Sequence, residues 1–261
     1  MKQPIDVQNI YNDHLLELGE ERKKELDKTK PTTPHYRPSS SGTCSRKIFY
    51  ETILRVTPTD EIDKRVRRLF RLGDMVHEDI QNALDWAKNS GSDLKDFNNS
   101  NNIYNNIYNI YNIYIEEELI SKKLKVRGFA DLIIESCDGG IYLYDIKTIA
   151  DFPYKKIFAQ RKENREPSVH QELQLATYGL MVQKRFGRLD GMFILYYNKN
   201  TSMLRHKEVS NDRLLTALTF WERINKQHSN NVLPPLEPSV SPVADWECRY
   251  CNFKERCNQD N

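Results

Sequence analysis

The stretch KVRGFADLIIESCDGGIYLYDIKT, residues 125–148, decides the fold. Alternating β-branched and aromatic residues flank Asp138-Gly139-Gly140, a hairpin turn signal. Two strands joined by that turn carry Asp131 on the first and Asp145 and Lys147 on the second. Asp145 and Lys147 are two apart, so their side chains leave the same face of a sheet. With the turn centred on Cys137 to Gly140, Asp131 falls opposite a residue near Asp145 to Lys147. Two carboxylates and an ammonium then converge. Like charges facing one another destabilise a plain hairpin. A divalent cation turns that liability into a site, because Mg²⁺ and Mn²⁺ favour carboxylate oxygens and water.

The neighbouring segments complete the frame. IYIEEELI at 113–120 reads as the strand before the hairpin, and SVHQELQLATYGLMVQKRF at 168–186 as an amphipathic helix after it. GMFILYYN and MLRHKEV add two strands, and NDRLLTALTFWERINKQ another helix. Upstream, residues 8–29 form a charged helix with Ile10, Leu15, Leu18 and Leu26 as its apolar stripe. A breaker, PTTPHYRPSSSGT, precedes the helix CSRKIFYETILRV, which Ser41 or Thr43 can cap. The next helix runs from Asp60 to about Lys88 with Val66, Leu69, Phe70, Val76, Ile80 and Leu84 at helical spacing and His77 inside it. Between Asn89 and Asn112 the triplet Asn-Ile-Tyr recurs in a low-complexity insertion, expected as a mobile loop whose last repeats run into the following strand. The order predicts a mixed α/β domain with helical and cysteine-bearing flanks.

Composition narrows the function classes. With 261 residues and 38% hydrophobic content, the chain can bury a sizeable core in one large or two small domains. Its mean hydropathy of −0.73 is that of a polar, soluble chain. No apolar run approaches the roughly 20 residues of a membrane span, and the N-terminus has no signal-like stretch, so a cytoplasmic location is expected. The net charge of +2 says little about nucleic acid. Charge is concentrated instead in KRVRRLFR at 64–71 and KKIFAQRKENR at 155–165. The five cysteines are expected to be reduced rather than disulfide-bonded. Three of them, Cys248, Cys251 and Cys257, end the chain as C-x2-C-x5-C. A structural zinc or an iron–sulfur cluster asks for four ligands, and the fourth would be Cys44 or Cys137.

Four motifs occur in order: His77 on a helix, Gly128-x-x-Asp131 on a strand, Asp145-x-Lys147 on the next, and Gln174-x-x-x-Tyr178 on a helix. Together they resemble the PD-(D/E)XK nuclease superfamily, in particular its RecB-like exonuclease branch. The resemblance implies a restriction-endonuclease-like core, a central mixed sheet flanked by helices, over residues 39–258, with residues 1–38 as a helical extension. It implies a metal-dependent deoxyribonuclease acting on single-stranded DNA or DNA ends. Asp131, Asp145, His77 and the carbonyl of Ile146 would hold Mn²⁺ or Mg²⁺, the imidazole favouring Mn²⁺. Lys147 would position the attacking water and stabilise charge at the phosphate. Gln174 and Tyr178, one helical turn apart and on the face of His170, would orient the phosphate or the strand. Glu117 and Glu118 are candidate supports for the metal ligands.

One N-terminal cysteine with three C-terminal ones is similar to the layout of the CRISPR-associated Cas-four nucleases and AddB-type nuclease domains. This implies a 4Fe-4S cluster on Cys44, Cys248, Cys251 and Cys257 that staples the two ends of the domain, with zinc the alternative. Settings consistent with this resemblance are CRISPR adaptation, recombination and phage DNA metabolism, with proteins of those pathways as partners. The abundance of Asn, Ile, Lys and Tyr fits an AT-rich genome and favours a phage or mobile element. The competing functional classes are a catalytically silent DNA-binding scaffold and a zinc-binding adaptor.

Overall fold

A computed structural model describes residues 6–28, 35–57, 63–90, 109–160, 168–236 and 247–260. Most of the Asn-Ile-Tyr tract lies outside them, and its last residues enter the first strand. Five strands, β1 (Ile110–Ser121), β2 (Val126–Ser136), β3 (Ile141–Ile149), β4 (Gly191–Asn198) and β5 (Leu204–Glu208), form one sheet in that spatial order. The first three make an antiparallel meander, β3 and β4 run parallel, and β5 returns antiparallel. The parallel step requires a crossover, supplied by α4 (Asp151–Ile157) and α5 (Val169–Phe186). α5 ends where Gly187 takes φ +77, a left-handed position that suits glycine. The mixed α/β class expected from the sequence is the observed one.

Helices cover both faces. α3 (Lys64–Ser90) lays Val76, Ile80, Leu84 and Ala87 over Ile113, Leu132 and Ile146. On the opposite face, α5 and α6 (Asp212–His228) bury Leu175, Val182, Trp221 and Ile224 against Leu143, Met192 and Ile194. Each fully buried aliphatic side chain there contributes about 1.5–3 kcal/mol of transfer free energy. Tyr36 extends this core from the N-terminal side. It stacks on Trp221 at 5.4 Å, bonds His228 Nδ1 at 3.1 Å, and pairs in parallel with Val126. α1 (Val7–Lys28) packs on α3, with Arg22 bonded to Asp74 at 3.2 Å.

Several local expectations change. Val66, Leu69 and Phe70 are exposed rather than buried, because only the part of α3 from Val76 onward lies over the sheet. On α1, Leu15 is buried while Ile10 and Leu18 face solvent. α2 spans only Ser45–Thr52, with Cys44 at its cap position. The hydroxyls of Ser41 and Thr43 serve the preceding turn instead, accepted by Pro38 O at 2.6 Å and Ser40 O at 2.8 Å. α4 and the terminal α7 (Lys254–Gln259) had no signal in the hydrophobic pattern, being too short to show a period. Among the described residues no helix is long and apolar enough to cross a membrane.

Candidate active site

The β2–β3 ladder runs from Glu135–Ile141 to Leu132–Tyr144 and stops there, just before Asp131 and Asp145 would face each other. β3 stays paired to β4 through Ile149, so the two hairpin strands part with β3 held in place. The edge of β3 freed in this way carries Ile146. Its N–H donates to Asp131 Oδ2 at 2.7 Å, and its carbonyl accepts from His77 of α3. His77 Nδ1 lies 3.8 Å from the same Asp131 oxygen. Thus the opening of the hairpin, not the turn itself, brings Asp131, His77 and Ile146 together.

Asp145 and Lys147 lie on the α5 side of β3. Lys147 Nζ stands 2.8 Å from Asp145 Oδ2, and Gln174 of α5 donates to Asp145 Oδ1 at 3.1 Å. Asp145 is 1% exposed, and its Oδ2 has the ammonium nearby without a hydrogen bond of proper geometry. That buried, incompletely satisfied carboxylate oxygen fits a site built for a cation. His77, Glu116 and Asp131 each offer a ligand atom within 4.8 Å of the others, an N,O set that suits a divalent cation.

The electrostatics agree with the donor set. Burial, reinforced by the Asp145 carboxylate, pushes the Asp131 carboxyl up to about 8. Burial and the Lys147 charge lower the His77 imidazole, favouring the neutral form that ligates metals. Burial acts to lower the Lys147 ammonium, but Asp145 and Asp131 outweigh it and hold the group above the ordinary lysine range.

Burial raises the Tyr178 hydroxyl, and Asp145 and Asp131 are near enough to add to it. Tyr178 is 6% exposed, and its hydroxyl oxygen accepts from the N–H of Phe129. A Cβ at Gly128 would come within 2.8 Å of that hydroxyl and 2.7 Å of the Pro38 ring. Gly128 therefore permits Tyr178 and Pro38 to clamp β2 three residues before Asp131. His170, on the same helix, places Nδ1 3.4 Å from the carbonyl of Ser41. Glu117 and Glu118 do not reach the site, since they pair with Arg185 and Arg127. Glu116 does, although the sequence reading passed over it. The β1–β2 register puts it there: Ile115 pairs Leu132 and Glu117 pairs Ala130, so Glu116 falls opposite Asp131.

The family model for the PD-(D/E)XK nuclease superfamily matches residues 107–258, which hold the splayed hairpin. The chain belongs to the PD-(D/E)XK nuclease superfamily. Within this PD-(D/E)XK chain, His77 lies upstream of the matched segment and is brought in by α3. The crystal structure of SSO0001 is similar in fold, with TM-score 0.54 at 18% identity over 97% of this chain and 98% of that one. A structure from Eubacterium rectale, described as a candidate exonuclease, gives TM-score 0.47 at 14% identity over 82% and 92% of the two chains, too distant to carry an argument. No curated protein sequence matches the chain.

The cysteines lie away from this site. Cys44 is buried and its N–H donates to Glu247 at 3.2 Å, while Arg46 reaches Cys257 Sγ at 3.5 Å and Tyr50 donates to Asp260 at 2.8 Å. α2 is thereby bound to the C-terminal tail. Burial raises the Cys251 thiol, and Cys248 and Cys257 are close enough to add a little to it. Cys137 sits instead at the β2–β3 turn, where its N–H donates to Asn109 O at 3.1 Å.

Proposed function

We propose that the chain is a Mn²⁺- or Mg²⁺-dependent deoxyribonuclease of the RecB-like branch that hydrolyses single-stranded DNA or DNA ends. The observation that carries the reading is the convergence of Asp131, Asp145, Lys147, His77 and the Ile146 carbonyl where β2 parts from β3. A bound divalent ion would act as a Lewis acid and lower the pKa of a water. Asp131, Asp145, His77 and Ile146 O would hold it. Lys147, kept cationic by its two carboxylate neighbours, stabilises negative charge at the phosphate and orients the attacking water. Gln174 fixes the rotamer of Asp145, and Tyr178 fixes β2 by way of Phe129. These two are positioning residues.

DNA as the substrate fits the charge around the site. The exposed, basic first half of α3 leads to His77, and α4 begins four residues after Lys147 with exposed Phe152 in cation–π contact with half-buried Lys156 at 4.9 Å. An aromatic face beside ammonium groups suits bases and phosphates of a single strand.

Residues 39–258 form the nuclease domain in this reading, and residues 1–38 precede it. Cys44, Cys248, Cys251 and Cys257 would hold a 4Fe-4S cluster that fastens α2 to the tail. Zinc on the same four thiolates is the alternative. The pathways that supply such substrates are CRISPR adaptation, recombination and phage DNA metabolism.

The test is incubation of anaerobically purified protein with single strands labelled at the 5′ or the 3′ end, with Mn²⁺ and with Mg²⁺. Progressive shortening from one end that requires the metal is expected. Intact strands in both metals, with double-stranded ends also untouched, contradict the reading.

A further inference from the structure

Glu116 is the one acidic side chain of the EEE run in β1 that turns towards the hairpin mouth. It stands opposite Asp131 between two regular rungs, in a left-handed conformation of φ +47 that costs a non-glycine residue free energy. Gln81, one helical turn after His77 on α3, donates Nε2 to Glu116 Oε1 at 3.2 Å. The same amide lies 3.4 Å from the carbonyl of Asp131. One helix therefore supplies both an imidazole to the cluster and an amide that aims the carboxylate into it. Beside the cluster, the buried Asp145 Oδ2 has the Lys147 ammonium at 2.8 Å and no hydrogen bond of proper geometry, so one protein cation serves the neighbouring carboxylates.

We propose that Glu116 is a ligand of the divalent ion alongside His77 and Asp131, and that Gln81 is its positioning residue. The proposal rests on the metal-nuclease reading and adds to it. On a six-coordinate ion donors stand about 3.0 Å apart when cis and about 4.2 Å apart when trans, so these three atoms, all within 4.8 Å of one another, close in on the ion when it binds. Asp131, Asp145 and Glu116 set three carboxylates against the single ammonium of Lys147, an imbalance that a divalent cation offsets. Glu116 lies on the side of Asp131 away from Asp145, and it gives β1 a share in holding the ion.

The test is Mn²⁺ titration of the full chain by calorimetry, with free Mn²⁺ followed by its paramagnetic resonance signal. Glu116→Gln is expected to weaken binding about 100-fold and Gln81→Leu about 10-fold, the range for groups that orient metal ligands. Glu118→Gln, whose carboxylate pairs with Arg127, binds as the wild type does. Circular dichroism of the metal-free variants, matching the wild type, shows that the losses are not misfolding. Wild-type affinity in Glu116→Gln, while Asp131→Asn binds no Mn²⁺, overturns the proposal and leaves the nuclease reading intact. A wild-type chain that neither binds Mn²⁺ nor cleaves DNA overturns both.

Discussion

At the scale of single residues, Asp131 is where folding and metal binding are linked. Its carboxyl is near 3.8 when unfolded and about 8 in the fold because burial and Asp145 disfavour its charge. The stability that this proton confers is fully present below the unfolded value and is lost as pH rises through about 8. Metal-free wild type should therefore melt several degrees lower at pH 8.5 than Asp131→Asn, with the gap closing near pH 4. Mn²⁺ should raise the wild-type melting temperature at pH 8.5 and leave that of Asp131→Asn unchanged. Thermal scans at the two pH values, with and without Mn²⁺, check both expectations. Gly128 gives a second prediction. Gly128→Ala must displace Pro38 or Tyr178 and should cost about 1–3 kcal/mol in urea unfolding. Tyr178→Phe should recover only part of that loss, because the Pro38 ring remains in the way. The motif glycine was visible in the sequence, but its reason was not, since Pro38 and Tyr178 are 90 and 50 residues away from it.

At the scale of elements, the hairpin was legible because its two strands alternate and its turn is marked by Asp-Gly-Gly. The register inferred from the turn holds to Leu132–Tyr144. What the pattern could not express is that pairing then stops, since no residue type encodes a ladder's end. The same limit hid Glu116, whose left-handed φ interrupts a strand that reads as regular. α3 shows the converse: its apolar stripe continues past the point where the sheet ends, so Phe70 is 58% exposed. The α2–tail contact was foreshadowed only by the cysteines, whereas Arg46, Tyr50 and Glu247 form it. Anaerobic protein should absorb near ~400 nm, the region of iron–sulfur charge transfer. Cys44→Ala should lose iron and that absorbance, and Cys137→Ala should retain both. Elemental analysis of the two variants decides between the two candidate fourth ligands.

At the scale of the whole molecule, the sheet is closed on one face by α3 and on the other by α5 and α6, and the site opens at the seam between β2 and β3. Trp221 joins the layers: it is buried, stacks on Tyr36 and donates Nε1 to Thr177 on α5 at 2.9 Å. Trp221→Ala should destabilise the fold by about 3–5 kcal/mol, measured by chemical unfolding. The mixed sheet was readable from element order, but the packing of Tyr36 into the core was not, because it lies in a proline-rich stretch that reads as a spacer. The central claim is that the carboxylates and lysine at the parted hairpin hydrolyse DNA with a bound metal. Its most direct measurement is the Mn²⁺-dependent release of nucleotides from end-labelled single-stranded DNA by wild type, Asp145→Asn and Lys147→Ala, at equal folded concentration. The account predicts turnover by the wild type, none by Asp145→Asn, and a loss of roughly 100-fold or more in Lys147→Ala. Equal release by all three proteins would contradict it.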